Sequence, residues 1–196
     1  MKSSLKEKIN MILFVVILGT ILSSSLVLMD GYTKPIIERN KTVELKSSVL
    51  DALSISYEVE RIDAVFAEHV DAMDLQGRTV YLTAEGVFAL PYDGSGLWGP
   101  ITGILAVNPR EDRIVGLTIM HQEETPGLGS RIAEPEYLKH FVDKRFEPDL
   151  KLTSPGGDNA VNEVDSIAGA TISSNAFVKL LNEEYSVYEE LLEGEI

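Results

Sequence analysis

The pattern of apolar and polar residues divides the chain into three parts. An almost continuous apolar run without charge extends from Ile9 to Met29, and as a helix it is long enough to cross a hydrocarbon core, which needs about 20 residues. Loose helical periodicity follows over Lys34–Leu53, with Pro35 in the first turn, and again over Glu58–Met73. From Thr79 the pattern changes to the short alternating runs typical of strands.

The chain from Thr79 onward is predicted to form an antiparallel sheet. Turn residues separate short runs that either alternate or are apolar throughout. These runs are Thr79–Thr83, Gly86–Pro91, Ile101–Val107 and Arg113–Met120. Two more short strands are expected at Leu150–Leu152 and Val161–Val164, on either side of a turn at Pro155–Asp158.

Two helices are predicted to flank this sheet. The first covers Glu134–Asp143, and the second covers Asn175–Leu192, where apolar and aromatic residues at helical spacing indicate a face packed in the core. No internal repeat or low-complexity linker marks a second globular domain. The predicted fold class is therefore α+β, with one N-terminal transmembrane helix followed by a single domain that has an antiparallel sheet and flanking helices.

The N-terminal apolar run is predicted to be a membrane anchor. Lys2, Lys6 and Lys8 precede it, and the positive-inside tendency then places the N-terminus in the cytoplasm. We expect residues 1–30 to form a cytoplasmic tip and anchor helix in the cytoplasmic (inner) membrane, and residues 31–196 to form an extracytoplasmic, periplasmic domain. The alternative is a cleaved signal peptide, for which the small residues Ser23–Ser25 would be the processing region.

Composition excludes several functions. The formal net charge of −14 at pH 7 would repel nucleic acid and anionic lipid surfaces. The chain has no cysteine, so it can form neither disulfides nor thiolate-ligated iron–sulfur clusters. No metal site is predicted, because His69 lacks a second ligand at a suitable spacing. Any redox chemistry must therefore come from another cofactor.

The segment Asp165–Ser174 is predicted to be a turn between a strand and a helix. Gly169 and Ala170 leave the backbone free to bend and leave the Thr171 hydroxyl uncrowded. The unpaired N–H groups at a helix N-terminus favour an anionic phosphate. The alternative is an ordinary helix cap, formed by the side chain of Ser173, Ser174 or Asn175.

Two glycine-containing loops could approach a ligand. The first, Asp93–Pro100, carries Trp98, the only tryptophan, for which the alternative role is a hydrophobic plug under the sheet. The second, His121–Gly129, is too irregular to continue a strand, and its glycines free backbone N–H groups to face a flat heterocycle. His121 is expected to be a histidine at a strand end that faces solvent, and the alternative role is that of a proton donor.

These segments resemble the RnfG/NqrC family of flavoproteins. The matching motifs are Asp165 followed by Gly169-Ala170-Thr171, the run Glu124–Gly129 (ETPGLG) and the run Gly96–Gly99 (GLWG). The resemblance implies that FMN is joined covalently to Thr171 through its phosphate, and that Asp165 is the leading acid of the motif recognised by a flavin transferase. Ala168 stands where the family usually has Ser or Thr.

The same resemblance implies how the flavin ring is held. Four residues of the second loop are similar to family residues around the isoalloxazine ring: Glu124, Thr125, Leu128 and Gly129. Trp98 is implied to help wall the flavin. No residue is expected to be catalytic by itself, because the flavin does the chemistry while the protein supplies position and redox tuning.

The family implies an electron-carrier subunit of a membrane-bound, ion-translocating oxidoreductase, with the other membrane subunits as partners. The two alternatives are the Rnf complex, between ferredoxin and NAD, and the sodium-pumping NADH:quinone reductase (Nqr). The compact length favours Rnf and the GLWGP loop favours Nqr, and of the two we expect Rnf. A rival of another class is an anchored extracytoplasmic binding or scaffold domain without covalent cofactor.

Overall fold

The computed structural model describes residues 2–156 and 160–192, and of residues 2–4 the backbone alone. Residues 157–159, which include part of the predicted turn at Pro155–Asp158, lie outside the described residues. The chain separates into two compact units, residues 1–42 and residues 43–196. The α+β fold class is confirmed, with one long apolar N-terminal helix followed by a sheet domain with helices.

The N-terminal helix, α1, extends over Lys2–Ala52. Within the described residues it is the one helix long and apolar enough to cross a membrane by length and composition. The prediction that Pro35 opens a separate helix is wrong, because Pro35 lies inside α1. A proline in a helix interior removes one backbone hydrogen bond and costs about 3 kcal/mol. Helix α1 nevertheless continues on both sides of Pro35.

The second unit is built on a five-stranded antiparallel sheet whose strands follow one another in chain order. The strands are β1 (Val70–Leu75), β2 (Arg78–Thr83), β3 (Phe88–Ser95), β4 (Pro100–Asn108) and β5 (Arg113–Gln122). Four of them confirm the runs predicted from the sequence. Because each strand pairs with its sequence neighbour, the sheet is a meander of hairpins.

The first strand corrects the helix predicted over Glu58–Met73. That segment is a 3-10 turn at Val59–Arg61 and a short helix, α2 (Ile62–His69), after which the chain enters β1. A two-residue hairpin forces the change, because Gln76 and Gly77 both have positive φ, 51° and 90°. Pairing with β2 then supplies the backbone hydrogen bonds that a helix would otherwise have made.

The rest of the chain forms short elements and one long helix. They are a 3-10 helix (Gly129–Ala133), α3 (Pro135–Leu138), a 3-10 helix (Lys139–Phe141), β6 (Lys151–Thr153), β7 (Glu163–Asp165) and α4 (Thr171–Leu192). The helix predicted over Glu134–Asp143 is thus only two short turns. The two short strands are confirmed in position, and they pair in parallel.

The closing helix begins at Thr171, four residues before the predicted Asn175. Its first turn is set by Ala170, whose carbonyl accepts hydrogen bonds from the Ser174 amide at 3.0 Å and the Ser174 hydroxyl at 3.1 Å. The alternative in which Ser173, Ser174 or Asn175 is the cap residue is therefore wrong, since all three lie inside the helix.

Both faces of the sheet are covered. One face carries the larger core, which includes Phe141, Phe177 and Leu181 from the elements after β5. The other face packs on a smaller cluster that includes Val49 and Leu50, at the end of α1. Burial on both faces explains why β4 is an apolar run rather than an alternating one.

The core predicts how stability depends on alkaline pH. Tyr185 stacks on Phe146 with ring centroids 3.9 Å apart, and burial raises the pKa of its hydroxyl from 10.0 to about 12. The unfolded chain would ionise Tyr185 first, so its stabilising contribution should be lost as pH rises through that interval. Tyr185→Phe should match the wild type in urea unfolding at pH 8 and lose less stability at pH 11. Equal losses in both proteins would contradict this assignment.

Candidate functional site

The three sequence motifs lie at one end of the sheet. Residues 96–99 form the tip of the β3–β4 hairpin, where Ser95 pairs with Pro100. Gln122, the last residue of β5, pairs with Ile101, so the second loop leaves the sheet beside that tip. Helix α4 packs on β3, and the Tyr188 hydroxyl donates a hydrogen bond of 2.6 Å to the Pro91 carbonyl. Helix α4 therefore lies along β3, one strand of the same hairpin.

Glu124 joins the three motifs. Its side chain is buried, at 3% relative exposure. One carboxylate oxygen accepts from the amides of Leu97 (2.7 Å) and Trp98 (3.2 Å), and the other accepts from the Ser173 hydroxyl (2.7 Å). A buried carboxylate is stable only when donors surround it. Glu124 therefore ties the first loop and the start of α4 to its own loop.

Two glycines leave room for this carboxylate. A Cβ on Gly96 would lie 2.5 Å from the Glu124 Oε1 atom. A Cβ on Gly129 would lie 2.5 Å from the Ser173 hydroxyl oxygen and 2.8 Å from the Glu124 Oε2 atom. Any side chain at either position would collide with the hydrogen-bonded group, so both glycines are required by close approach rather than by a special φ.

Thr171 is exposed and is the first residue of α4. The turn before it depends on Gly169, whose φ of +83° suits glycine. The first helical N–H bond is the one from Ser174 to Ala170, and the N–H groups that precede it have no acceptor within the helix. An exposed hydroxyl thus lies at a helix N-terminus that favours an anion.

Asp165 ends β7 and stabilises the chain before Thr171. Its carboxylate oxygens accept hydrogen bonds from the Thr153 hydroxyl (3.3 Å) and the Gly156 amide (3.2 Å). Next to it lies a cleft of about 320 Å³. The cleft lining includes Arg131, Tyr137, His140, Asp165, Ser166 and Ala168. Burial, with a smaller effect of the Asp165 charge, raises the pKa of the Tyr137 hydroxyl.

Exposed apolar side chains surround the joined loops. Trp98 is 69% exposed, so the alternative in which it plugs the underside of the sheet is wrong. Three more large apolar side chains from the same segments are exposed: Leu97, Leu128 and Ile172. Thr125 is exposed as well, and its carbonyl accepts from the amides of Leu128 and Ser130 to close the second loop. We call Leu97, Trp98, Leu128 and Ile172 the apolar rim.

The segment that carries this site is similar to known proteins. Residues 96–186 match the family described as FMN-binding domain. Curated relatives include the NqrC subunit of the Na(+)-translocating NADH-quinone reductase from Chlamydia trachomatis, 33% identical over 56% of this chain. The same subunit from Vibrio alginolyticus is 29% identical over 71% of this chain. The predicted resemblance to the RnfG/NqrC family is confirmed.

The extent of these matches differs between the relatives and the solved structures. The chain spans 42% of the Chlamydia relative and 59% of the Vibrio relative. The crystal structure of NqrC from Parabacteroides distasonis has a TM-score of 0.69 at 22% identity, covering 81% of this chain and 96% of that one. NqrC from Shewanella oneidensis gives 0.63 at 19% identity, covering 71% and 89%. These two likenesses confirm the fold.

The residues of the matched segment fit FMN, the cofactor that the family description names. An exposed hydroxyl at a helix N-terminus suits a phosphate, and the apolar rim suits a flat heterocycle. The structure brings together Trp98, Glu124 and Gly129, which the sequence singled out. It also adds Ile172 and Ser173, and it places Gly96, the first residue of the GLWG run, beside the Glu124 carboxylate. In the sequence, Ser173 stands two residues after Thr171, and this position suggested only that it caps the helix.

The close approach at Gly129 gives a testable prediction. Gly129→Ala should destabilise the domain by about 1–3 kcal/mol, because the new Cβ overlaps the Ser173 hydroxyl and the Glu124 carboxylate. Urea unfolding of the single variants and of the double variant Gly129→Ala/Ser173→Ala forms a thermodynamic cycle. The double variant should cost less than the sum of the singles, since removing the hydroxyl opens part of the space. If the losses of stability in the two single variants add up to the loss in the double variant, the Cβ at residue 129 and the Ser173 hydroxyl do not compete for the same space.

Proposed function

We propose that the chain is a membrane-anchored electron carrier whose FMN is joined to the Thr171 hydroxyl by a phosphoester. The observation that carries this proposal is the position of Thr171: exposed, at the first residue of α4, inside a domain that matches the FMN-binding family. The neighbouring Ser173 and Ser174 hydroxyls are both buried and hydrogen-bonded. Of these three, only Thr171 is open to modification.

The described residues divide the work of holding the cofactor. The start of α4 would hold the phosphate end, where the helix dipole and free N–H groups favour negative charge. The ring would lie against the apolar rim and the second loop, with Thr125, Leu128 and Trp98 as its contacts. When bound, FMN supplies the electron transfer. Glu124 and Gly129 would shape the floor of the site through the contacts already described.

Asp165 has a separate proposed role, in maturation. It is half-buried and positions the turn before Thr171 through Thr153 and Gly156. We assign to this turn the recognition of the motif by a flavin transferase. The cleft beside Asp165 leaves the segment 165–168 open along one side, which supports access by such an enzyme.

The proposed partners are the other membrane subunits of an Nqr-type complex. The sequence alone favoured Rnf over Nqr. The curated relatives described above are named as a subunit of the Na(+)-translocating NADH-quinone reductase, and this supports the Nqr alternative. As an electron carrier, the chain would act as part of the oxidoreductase without turning over a substrate by itself.

Helix α1 is the proposed anchor in the cytoplasmic membrane. Its most apolar stretch is exposed within the chain itself, which suits a surface in contact with lipid. The orientation rests on the lysines before this stretch, which favour a cytoplasmic N-terminus. The FMN-binding domain would then lie on the periplasmic side.

Thr171→Ala tests the attachment site. The full chain is produced with a flavin transferase, purified and analysed by intact-protein mass spectrometry. The wild type should carry the mass of FMN less one water, and Thr171→Ala should carry none, because a phosphoester needs the hydroxyl. Thr125→Ala is the matched control, since it removes another exposed threonine hydroxyl from the same site and should keep the adduct.

Two outcomes would contradict the proposal. Adduct that persists in Thr171→Ala would place the bond on another hydroxyl. A correctly exported wild type without any adduct, and without flavin fluorescence on a denaturing gel, would favour the binding or scaffold domain.

The orientation can be tested with fusions after Ile196. Alkaline phosphatase fused there should be active, because the enzyme needs the oxidising exterior. A fluorescent protein that matures only in the cytoplasm should be dark at the same position. The reverse pair of results would place the domain in the cytoplasm and remove the basis for a periplasmic carrier.

A further inference from the structure

Ser173 is a buried polar residue in the first turn of α4. It is 4% exposed and lies two residues after Thr171, on the inner side of the first turn of α4. Its hydroxyl donates a hydrogen bond of 2.7 Å to the Glu124 Oε2 atom, 49 residues away in sequence. The bond therefore links two parts of the site that no local pattern connects.

The carboxylate carries this link onward to the first loop. The hairpin tip is closed by one backbone bond, from the Gly96 amide to the Gly99 carbonyl at 2.8 Å. Within the described residues, the bonds of the Leu97 and Trp98 amides are those to Glu124 Oε1, at 2.7 and 3.2 Å. Because the Trp98 side chain is largely exposed, the orientation of the tip depends on the carboxylate.

The neighbouring Ser174 shows that this link is specific to Ser173. The Ser174 hydroxyl accepts from the Ile167 amide at 3.3 Å and donates to the Ala170 carbonyl at 3.1 Å. Both partners lie within seven residues of Ser174, so these two bonds stabilise the turn that leads into α4. Ser173 instead reaches across to the carboxylate that holds the tip.

We propose that Ser173 is a positioning residue that acts through Glu124. Its hydroxyl fixes the Glu124 Oε2 atom by a hydrogen bond, and this holds the Oε1 atom where it accepts from the Leu97 and Trp98 amides. The start of α4 and the Trp98 loop are thereby held as one unit before any cofactor is attached. The purpose of this coupling, to shelter the ring of a flavin on Thr171, rests on the proposed function, whereas the coupling itself belongs to the chain without flavin.

The coupling can be measured because Trp98 is the only tryptophan in the chain. The full chain is purified in detergent without flavin, and the fluorescence anisotropy of Trp98 and the hydrogen exchange of the Leu97 and Trp98 amides are recorded. Ser173→Ala should lower the anisotropy and speed that exchange by about tenfold, the effect of losing one hydrogen bond to a charged group.

Tyr188→Phe is the matched control. It removes another hydrogen-bonded hydroxyl between α4 and the sheet, the 2.6 Å bond to the Pro91 carbonyl, at a position 15 residues further along the same helix. Both variants should lower the thermal midpoint. Only Ser173→Ala should change the mobility of Trp98, which separates positioning from general destabilisation.

A second measurement uses the flavin-loaded chain. Ser173→Ala should keep the covalent flavin, because Thr171 is unchanged, but iodide should quench the flavin fluorescence more strongly than in the wild type. Wild-type anisotropy and exchange in Ser173→Ala would overturn the inference, whatever happens to the flavin. A wild type that acquires no flavin overturns the proposed function, while the Trp98 measurement still decides the coupling.

Discussion

The site depends on one buried carboxylate. Moving a charged group out of water costs several kcal/mol unless donors replace the lost water, and Glu124 is 3% exposed. Its donors are two backbone amides from a hairpin tip and one hydroxyl from a helix. No segment of the site satisfies the carboxylate alone. The three motifs must therefore fold together, and each fixes the position of the others.

The sheet decides that these segments can meet. An antiparallel meander brings the β3–β4 tip and the end of β5 to the same edge, and the packing of α4 on β3 adds the helix. Close approach then restricts the residues around the carboxylate. Gly96 and Gly129 leave the space it fills, and Gly94 lets α4 come near, because a Cβ there would lie 2.8 Å from the Leu180 side chain.

The sequence predicted most elements but few of the contacts between them. The strands after Thr79 and most of the closing helix followed from periodicity, because that periodicity reflects burial along each element. The first strand, Val70–Leu75, was missed because its pairing depends on a turn at Gln76 and Gly77 rather than on its own pattern. The first turn of α4 was missed because the backbone carbonyl of Ala170 begins it, and any residue can supply that group.

In the candidate site, too, the sequence predicted the residues but not the contacts between them. The motifs located Glu124, Gly129 and Trp98, yet sequence reading could not show that the carboxylate joins them, since its partners lie 26 to 49 residues away. The sequence likewise did not predict that Trp98 is exposed, because an aromatic residue in a loop can either pack under a sheet or line an open binding site. The local pattern of apolar residues predicts which face of an element is buried. The role of a buried polar group depends on hydrogen-bond donors that are distant in sequence, and the local pattern does not predict them.

The arrangement also explains how a tethered cofactor could be oriented. A bond at Thr171 would fix one end of FMN and leave the ring free to turn, so the ring's orientation must come from surfaces that are already in place. Building those surfaces costs conformational entropy, because the hairpin tip and the second loop both lack regular structure. Here the hydrogen bonds of Glu124 and the turn bonds to the Thr125 carbonyl offset this loss of conformational entropy within the folded protein. Since the loops are ordered by the chain's own hydrogen bonds, ring contacts need not order them, and more of the contact energy remains to hold the ring.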